Sequence, residues 1–231
     1  MSVALVVPAA GSGERLGLPL PKALADLAGA PLVRRTLERL AITKAFSETV
    51  VLVPAAHLSA FEQALAGLPA GLGTVLVRPG GSSRQASVWA GLEAIGPACD
   101  LICVHDAARP LIEPATVIKV MDEARRHGAA TAASRPADSV RIDVAEGTKA
   151  LDRRRLWLVE TPQVFEASVL RRAHEHARAG GVEGTDDASL VEALGLEIRI
   201  VASQGCNLKV TNRADLIAAR ELLAFSAAAP H

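Results

Sequence analysis

The chain has 231 residues, half of them hydrophobic, with 25 basic and 25 acidic side chains and no formal net charge. That length fits one large domain or a domain with an appendage; the composition excludes a disordered chain, and the zero net charge argues against a nucleic-acid partner. The start "MSVALVVPAAGSG" lacks the pattern of a signal peptide and no apolar run is long enough to span a membrane, while Cys99, Cys103 and Cys206 make no zinc pattern, so buried thiols in a cytoplasmic protein are expected.

The opening run "VALVV" is apolar without a break, as a strand buried on both faces is, and Pro8 stops it. Gly11 and Gly13 free the backbone to turn and approach a ligand, and bare amides in such a turn attract anions, phosphate first. Two common phosphate loops are missing. Lys22 follows Pro21 and precedes Ala23, which is no Walker A lysine, and Gly11, Gly13 and Gly17 read G-x-G-x-x-x-G. Pro19 and Pro21 argue against one long helix directly after the glycines. What remains is an open loop whose cations are Arg15 and Lys22; taken alone, it also fits an ordinary strand-to-helix turn with two solvated cations.

A helix over 32–41 follows, bounded by Pro31, then a strand at "TVVLVP", a helix over 58–66 and a strand at "TVLVR". "GGSSRQASVWAGLEAIG" carries Ser82 and Gln85 at capping-box spacing, with Gly96 as a stop. "DLICVHD" reads as a buried strand, "EPATVIKVMDEARRHG" as a helix and "AATAAS" as a strand. This alternation predicts an α/β fold, Rossmann-like, with a mainly parallel sheet and helices on both faces. Ligands of such sheets sit beyond the carboxyl ends of the strands, where both the 8–22 loop and "HDAARP" emerge.

Near Ser134 the alternation breaks. "DSVRIDV" puts Val140, Ile142 and Val144 on one face, Gly147 supplies a turn, and "LDRRRLWLVETPQVF" can return as a second strand. A half-apolar hairpin of this kind, an arm over 137–161, is marginal alone in water. Val140, Ile142, Val144 and Trp157 are therefore expected to pack on a second copy about a two-fold axis. A helix over 166–179 follows, and its "HEH" at 174–176 reads as a solvated face of a polar, Arg-rich helix. "GTDDAS" opens a further helix with acids that suit its dipole, and Asp186 and Asp187 are left out of the site. Strands at "LEIRIVA" and "NLKVT" precede a closing helix.

Six stretches occur in this order: "PAAGSGERLG…PK", "GGSSRQASVWAGL", "VHDAARP", "LDRRRLW…TPQVF", "TDDAS" and "NLKVT". Together they resemble the 2-C-methyl-D-erythritol 4-phosphate cytidylyltransferases of the non-mevalonate isoprenoid route, and "HDAARP" is the most specific of them. The resemblance spans almost the whole chain. It implies a single nucleotidyltransferase domain over 1–231, a homodimer joined through the arm, CTP and methylerythritol phosphate as substrates and pyrophosphate as product. It also implies a requirement for Mg²⁺, met mainly through the CTP phosphates rather than by protein ligands.

By the same resemblance, Arg15 and Lys22 hold the triphosphate and stabilise the five-coordinate transition state, while Lys209 and Arg153 position the incoming phosphate. Pro8, Ala9, Ala10, Gly11, Gly13, Gly80, Gly81 and Ser87 are similar to the nucleotide pocket, whose small residues let main-chain groups reach the cytosine amine. Asp106 meets ribose and substrate hydroxyls, and Arg109, Ser139 and Thr161 meet the substrate phosphate. The chemistry agrees with such a site: a phosphate monoester has its second pKa at about 6 and needs no strong base. It needs two repelling anions aligned and developing charge neutralised, which scattered cations supply. Without the resemblance, Ser87 also reads as a helix-interior serine and Arg109 as a solvated loop arginine, although Pro110 and the alanines beside it argue for a fixed position.

Two departures stand out: Ser139 where the family often has Thr, and Cys206 before Asn207 where an acidic residue can occur. Three alternatives stay open. A sugar-nucleotide pyrophosphorylase shares the glycine-rich first turn, a CDP-ribitol-forming relative shares the nucleotide half, and a non-catalytic regulator would bind nucleotide alone. Against the last, Arg15, Lys22 and Lys209 are all kept, whereas binding alone would tolerate losing some of them.

Overall fold

The computed structural model describes residues 1–11, 13 and 17–228. Strand β1 (Val3–Pro8) leads through a 3-10 turn at Lys22–Leu24 to a ribbon of β2 (Asp26–Leu27) and β3 (Ala30–Pro31), then α1 (Leu32–Ala41). The alternation continues with β4 (Glu48–Val53), α2 (Leu58–Ala64), β5 (Thr74–Pro79), α3 (Arg84–Ala94), β6 (Leu101–Val104), α4 (Pro114–His127) and β7 (Ala129–Ser134). A hairpin of β8 (Val140–Val144) and β9 (Gly147–Leu151) interrupts it. Last come β10 (Leu158–Glu166), α5 (Ala167–Gly180), α6 (Asp187–Glu192), β11 (Arg199–Ala202) and α7 (Arg213–Ala228).

The main sheet is ordered β11-β7-β10-β6-β1-β4-β5, parallel throughout except for β10, which runs antiparallel to both β6 and β7. Strand β1 shows why the opening run has no polar member. Val3, Leu5 and Val7 face a core shared with α1 and α4, while Ala4 and Val6 face a second core under α3 and α5. Each fully buried Val or Leu there contributes on the order of 2 kcal/mol. The chain moves outward from β1 through β4 to β5, then crosses back to β6 on the other side of β1. That reversal opens a crevice beyond the carboxyl ends of β1 and β6.

Several local expectations are corrected. Helix α3 is capped by Ser83, whose Oγ accepts from the Ala86 N–H at 3.1 Å; Ser82 and Gln85 do not form a capping box. Gln85 instead bonds across to the Val182 carbonyl and the Gly184 N–H, where main-chain groups of an irregular segment compete for its amide. "NLKVT" forms no strand: it crosses the loop after β6 and is held there by the Val210 N–H donating to the Ala108 carbonyl at 2.8 Å. A small core of Leu27, Leu32, Ala108, Leu111, Val210 and Ala219 pins it under α7.

The arm is also shorter than expected. Only β8 and β9 form the hairpin, and the supposed return strand belongs to β10, where Thr161 to Phe165 are buried in the main sheet. Burial on both faces explains this, since "TPQVF" finds partners in β6 and β7 that a free hairpin cannot offer. His174 is fully buried rather than solvated, because α5 turns that face onto α3 and α6; His176 is exposed. Cys103 is buried and Cys99 half-buried, but Cys206 is exposed.

Candidate active site

A cleft of about 490 Å³ lies beyond the carboxyl ends of β1 and β6. Pro8, Ala9, Ala10 and Gly11 form one wall, Gly81, Ser82, Ser83, Arg84 and Ser87 a second, and Lys22, Asp106 and Lys209 bring the charges. Lys22 arrives because its turn packs against the first loop. A Cβ at Gly13, where φ is +75°, would sit 2.7 Å from the Lys22 nitrogen, so only glycine lets the two segments touch. On the opposite wall, a Cβ at Gly80 would lie 2.8 Å from the Ala10 Cβ and 2.9 Å from Ser87 Oγ. Ser87 fastens this wall by donating to the Ser83 carbonyl at 2.9 Å and accepting from the Gly81 N–H at 3.1 Å.

Asp106 is the electrostatic centre, with a side chain only 9% exposed. Its Oδ1 takes Arg84 Nε at 3.1 Å; its Oδ2 takes Lys209 Nζ at 2.6 Å and faces Arg109 Nε at 3.8 Å. Burial alone would raise its pKa, but Arg84 and Lys209 prevail and hold the carboxyl far below the usual carboxylate range. Its main-chain N–H donates to Thr161 Oγ1 at 3.0 Å. Next to it His105 is buried, with Nε2 facing the Arg109 carbonyl at 3.2 Å, and burial pushes its pKa down to about 4.

Behind Asp106 runs a second layer. Arg109 Nη1 donates to the Asn207 carbonyl at 2.7 Å, so Arg109 is a fixed residue rather than a solvated one. Asn207 Nδ2 donates to Glu160 Oε2 and to the Thr161 carbonyl, each at 2.8 Å, and Ser203 donates to the same Glu160 oxygen at 2.6 Å. These contacts hold the segment before α7 and with it Lys209. The polar network beside Lys209 thus runs through Asn207 and Glu160, while Cys206 is exposed.

Of the sequence-predicted residues, Pro8, Ala9, Ala10, Gly11, Lys22, Gly81, Ser87, Asp106 and Lys209 line the cleft together. Gly13, Gly80, Arg109 and Thr161 support its walls from behind. Ser139 and Arg153 do not line it: both are exposed near the base of the hairpin, where Arg153 donates to the Ala137 carbonyl. Arg15 lies outside the described residues.

Sequence reasoning passed over Arg84, which lines the cleft and bridges Asp106 to Asp187. Its signal was its place directly after a cap, inside a motif already singled out. The "TDDAS" helix start divides its acids. Asp186 is a true capping-box residue with Ser189, and Asp187 is a buried ion-pair partner of Arg84 at 2.7 Å. Burial works against the Asp187 charge, but Arg84 and His174 hold its pKa below the ordinary value.

Among the described residues no group of three or more His, Cys, Asp or Glu side chains is placed to hold a metal. Asp106 is the one carboxylate among the described cleft-lining residues, and it is already engaged by two cations. Lys22 and Lys209 on the same lining suit an anionic ligand.

Comparison with known proteins identifies the family and the fold. The profile of the 2-C-methyl-D-erythritol 4-phosphate cytidylyltransferase (IspD) family matches residues 3–224. The chain is 37% identical, over 96% of its length and 94% of the other's, to the enzyme of that name from Pelotomaculum thermopropionicum. It is similar to the crystal structure of the cytidylyltransferase from Thermus thermophilus, with a TM-score of 0.78 at 34% identity over 97% of this chain and 100% of that one. The fold is also that of a 4-diphosphocytidyl-2C-methyl-D-erythritol synthase from Anaerococcus prevotii, with a TM-score of 0.86 at 23% identity over 96% of this chain and 98% of that one.

Proposed function

This chain belongs to the 2-C-methyl-D-erythritol 4-phosphate cytidylyltransferase family, and from that premise we propose how its residues divide the work. The enzyme transfers the cytidylyl group of CTP to 2-C-methyl-D-erythritol 4-phosphate, a step of isoprenoid biosynthesis. An oxygen of the acceptor phosphate attacks the α-phosphorus of CTP, and pyrophosphate leaves. The attacking phosphate is already largely ionised at neutral pH, so the protein's task is alignment and charge neutralisation.

Lys22, with Arg15 from the same loop, holds the triphosphate and meets the charge that develops on it. Lys209 guides the acceptor phosphate, and Arg109, Thr161 and Ser139 belong to the acceptor side. Asp106, kept ionised, accepts from ribose and substrate hydroxyls. The small residues of the first loop and Gly80–Gly81 let main-chain carbonyls take the cytosine amine, with the Ser87 hydroxyl beside them on the same wall. CTP carries Mg²⁺ on its phosphates, where the ion offsets part of the triphosphate charge.

The working unit is a homodimer. Ile142 and Val144 are 50% and 47% exposed on the hairpin, an apolar face that a second copy would cover. Arg153, at the base of the same arm, completes the site of the partner. No helix among the described residues is long and apolar enough to cross a membrane; free thiols and the substrate pair favour the cytoplasm.

The observation that carries this reading is the convergence of Lys22, Asp106 and Lys209 on one cleft walled by small residues. Pyrophosphate release from CTP, UTP, GTP and dTTP, each with methylerythritol phosphate and with ribitol phosphate, tests it. CTP with methylerythritol phosphate is expected to lead by roughly a hundredfold or more, since a site built to bond an amine leaves buried groups unpaired without it. Comparable turnover with GTP or dTTP, or preference for ribitol phosphate, would overturn it.

A further inference from the structure

His174 is a buried titratable group that the transfer chemistry does not use, and it stands at the end of an unbroken chain of contacts into the cleft. Its Nε2 lies 2.9 Å from Asp187 Oδ1, Asp187 Oδ2 lies 2.7 Å from Arg84 Nη1, and Arg84 Nε lies 3.1 Å from Asp106 Oδ1. His174 is 0% and Asp187 1% exposed. Because an ionised Asp187 can only accept, His174 Nε2 must carry the proton. We propose that His174 is a positioning residue for the transfer: by occupying one oxygen of Asp187 it leaves a single oxygen for Arg84, which keeps the Arg84 Nε–H turned toward Asp106.

The geometry makes this more than packing. The Asp187 main chain cannot shift, since Gln163 Oε1 accepts both the Asp187 and the Ala188 N–H at 3.1 Å. The carboxylate can still rotate, and among the described residues it is the His174 N–H that holds its first oxygen. Without that bond, a buried oxygen is left unsatisfied beside a guanidinium that can offer two parallel donors. Asp187 would then take the Nη1–Nη2 edge of Arg84 with both oxygens, and turning the guanidinium to meet them swings its Nε–H off Asp106. The ring of His174 is itself oriented by stacking on Trp89, with centroids 6.4 Å apart. The proposal rests on the reading of Asp106 as a contact for substrate hydroxyls, and it predicts a binding effect, because the contact it disturbs is the one Arg84 makes to that carboxylate.

The test compares full-length His174→Leu and His174→Gln with the wild type. His174→Leu is expected to raise the KM for CTP about tenfold while kcat changes by less than about threefold. His174→Gln, which keeps a donor toward Asp187, is expected to stay within about threefold of wild type in both. Folded His174→Leu protein with a normal KM, or His174→Gln as impaired as His174→Leu, overturns the proposal. If His174→Leu fails to fold, ¹⁵N NMR of the wild-type ring decides. The Nε2 resonance should move when CTP saturates the site, and an unchanged resonance overturns the coupling. Wild-type protein that binds CTP but does not transfer would count against the functional reading instead, and the NMR response would still decide this one.

Discussion

Lys209 Nζ stands 2.6 Å from Asp106 Oδ2, joining the irregular segment before α7 to the loop after β6. With Arg84 on the other oxygen, the carboxylate is held between two cations before any ligand enters. The site is thus arranged in advance, its charges already paired with one another, and several consequences can be measured.

Removing one cleft cation should affect chemistry more than folding. Lys22→Ala and Lys209→Ala are each expected to lose on the order of 3 kcal/mol of transition-state stabilisation, roughly a hundredfold or more in kcat. Steady-state rates with thermal midpoints check this. Near-normal rates in either variant would make that lysine a bystander.

Arg84 should matter for stability as well. Arg84→Ala strands the Asp187 carboxylate, 1% exposed, without its cation. The expected cost is about 3 kcal/mol, as for other buried pairs broken on one side. Denaturant titration reads it, and adding Asp187→Asn should recover much of the loss. Equal stability of Arg84→Ala and wild type would show that Asp187 needs no such partner.

His105 gives a pH signature. Burial lowers its pKa from the ordinary 6.5 to about 4, so the folded state resists a proton that the unfolded chain accepts. Above 6.5 the group contributes nothing to the balance. Between 6.5 and 4 the unfolded state binds more protons, and stability falls as pH falls, by about 3 kcal/mol in full. His105→Gln should therefore show a shallower loss of unfolding free energy than wild type on acidification to about pH 5, by urea titration. Parallel slopes would remove His105 from the account.

The arm prediction is tested by complementation. Arg153→Ala and Lys22→Ala homodimers should both be nearly inactive. Mixed under subunit exchange, they should form heterodimers with one doubly defective site and one intact site, and activity should return. Inactive heterodimers made from folded parents would place Arg153 in its own chain's site or in none.

Much of the architecture was legible along the chain because its signals are local. The alternation of "VALVV", "TVVLVP", "TVLVR" and "LICV" with amphipathic helices is a short-range pattern, and α1 and β7 run over 32–41 and 129–134 as read. The cleft loop stands out through its glycine, proline and charge placement, whereas Asp106 and Lys209 are marked only by the family resemblance of "HDAARP" and "NLKVT". Capping-box spacing to Gln85 points to Ser82, yet Ser83 caps α3 through the Ala86 N–H, because the helix begins one residue later than that spacing implies.

Local patterns along the chain carry the alternating fold, the end of the sheet where ligands gather and, through the family motifs, most of the residues that line the cleft. Long-range packing instead makes "TPQVF" join the main sheet, makes "NLKVT" a strap rather than a strand, and brings His174, Asp187 and Arg84 into one chain to Asp106. Those outcomes depend on partners distant in sequence. A strand commits to whichever sheet edges it can pair with, and a buried charge persists only where packing delivers its counter-charge, and neither is written in the spacing of neighbouring residues.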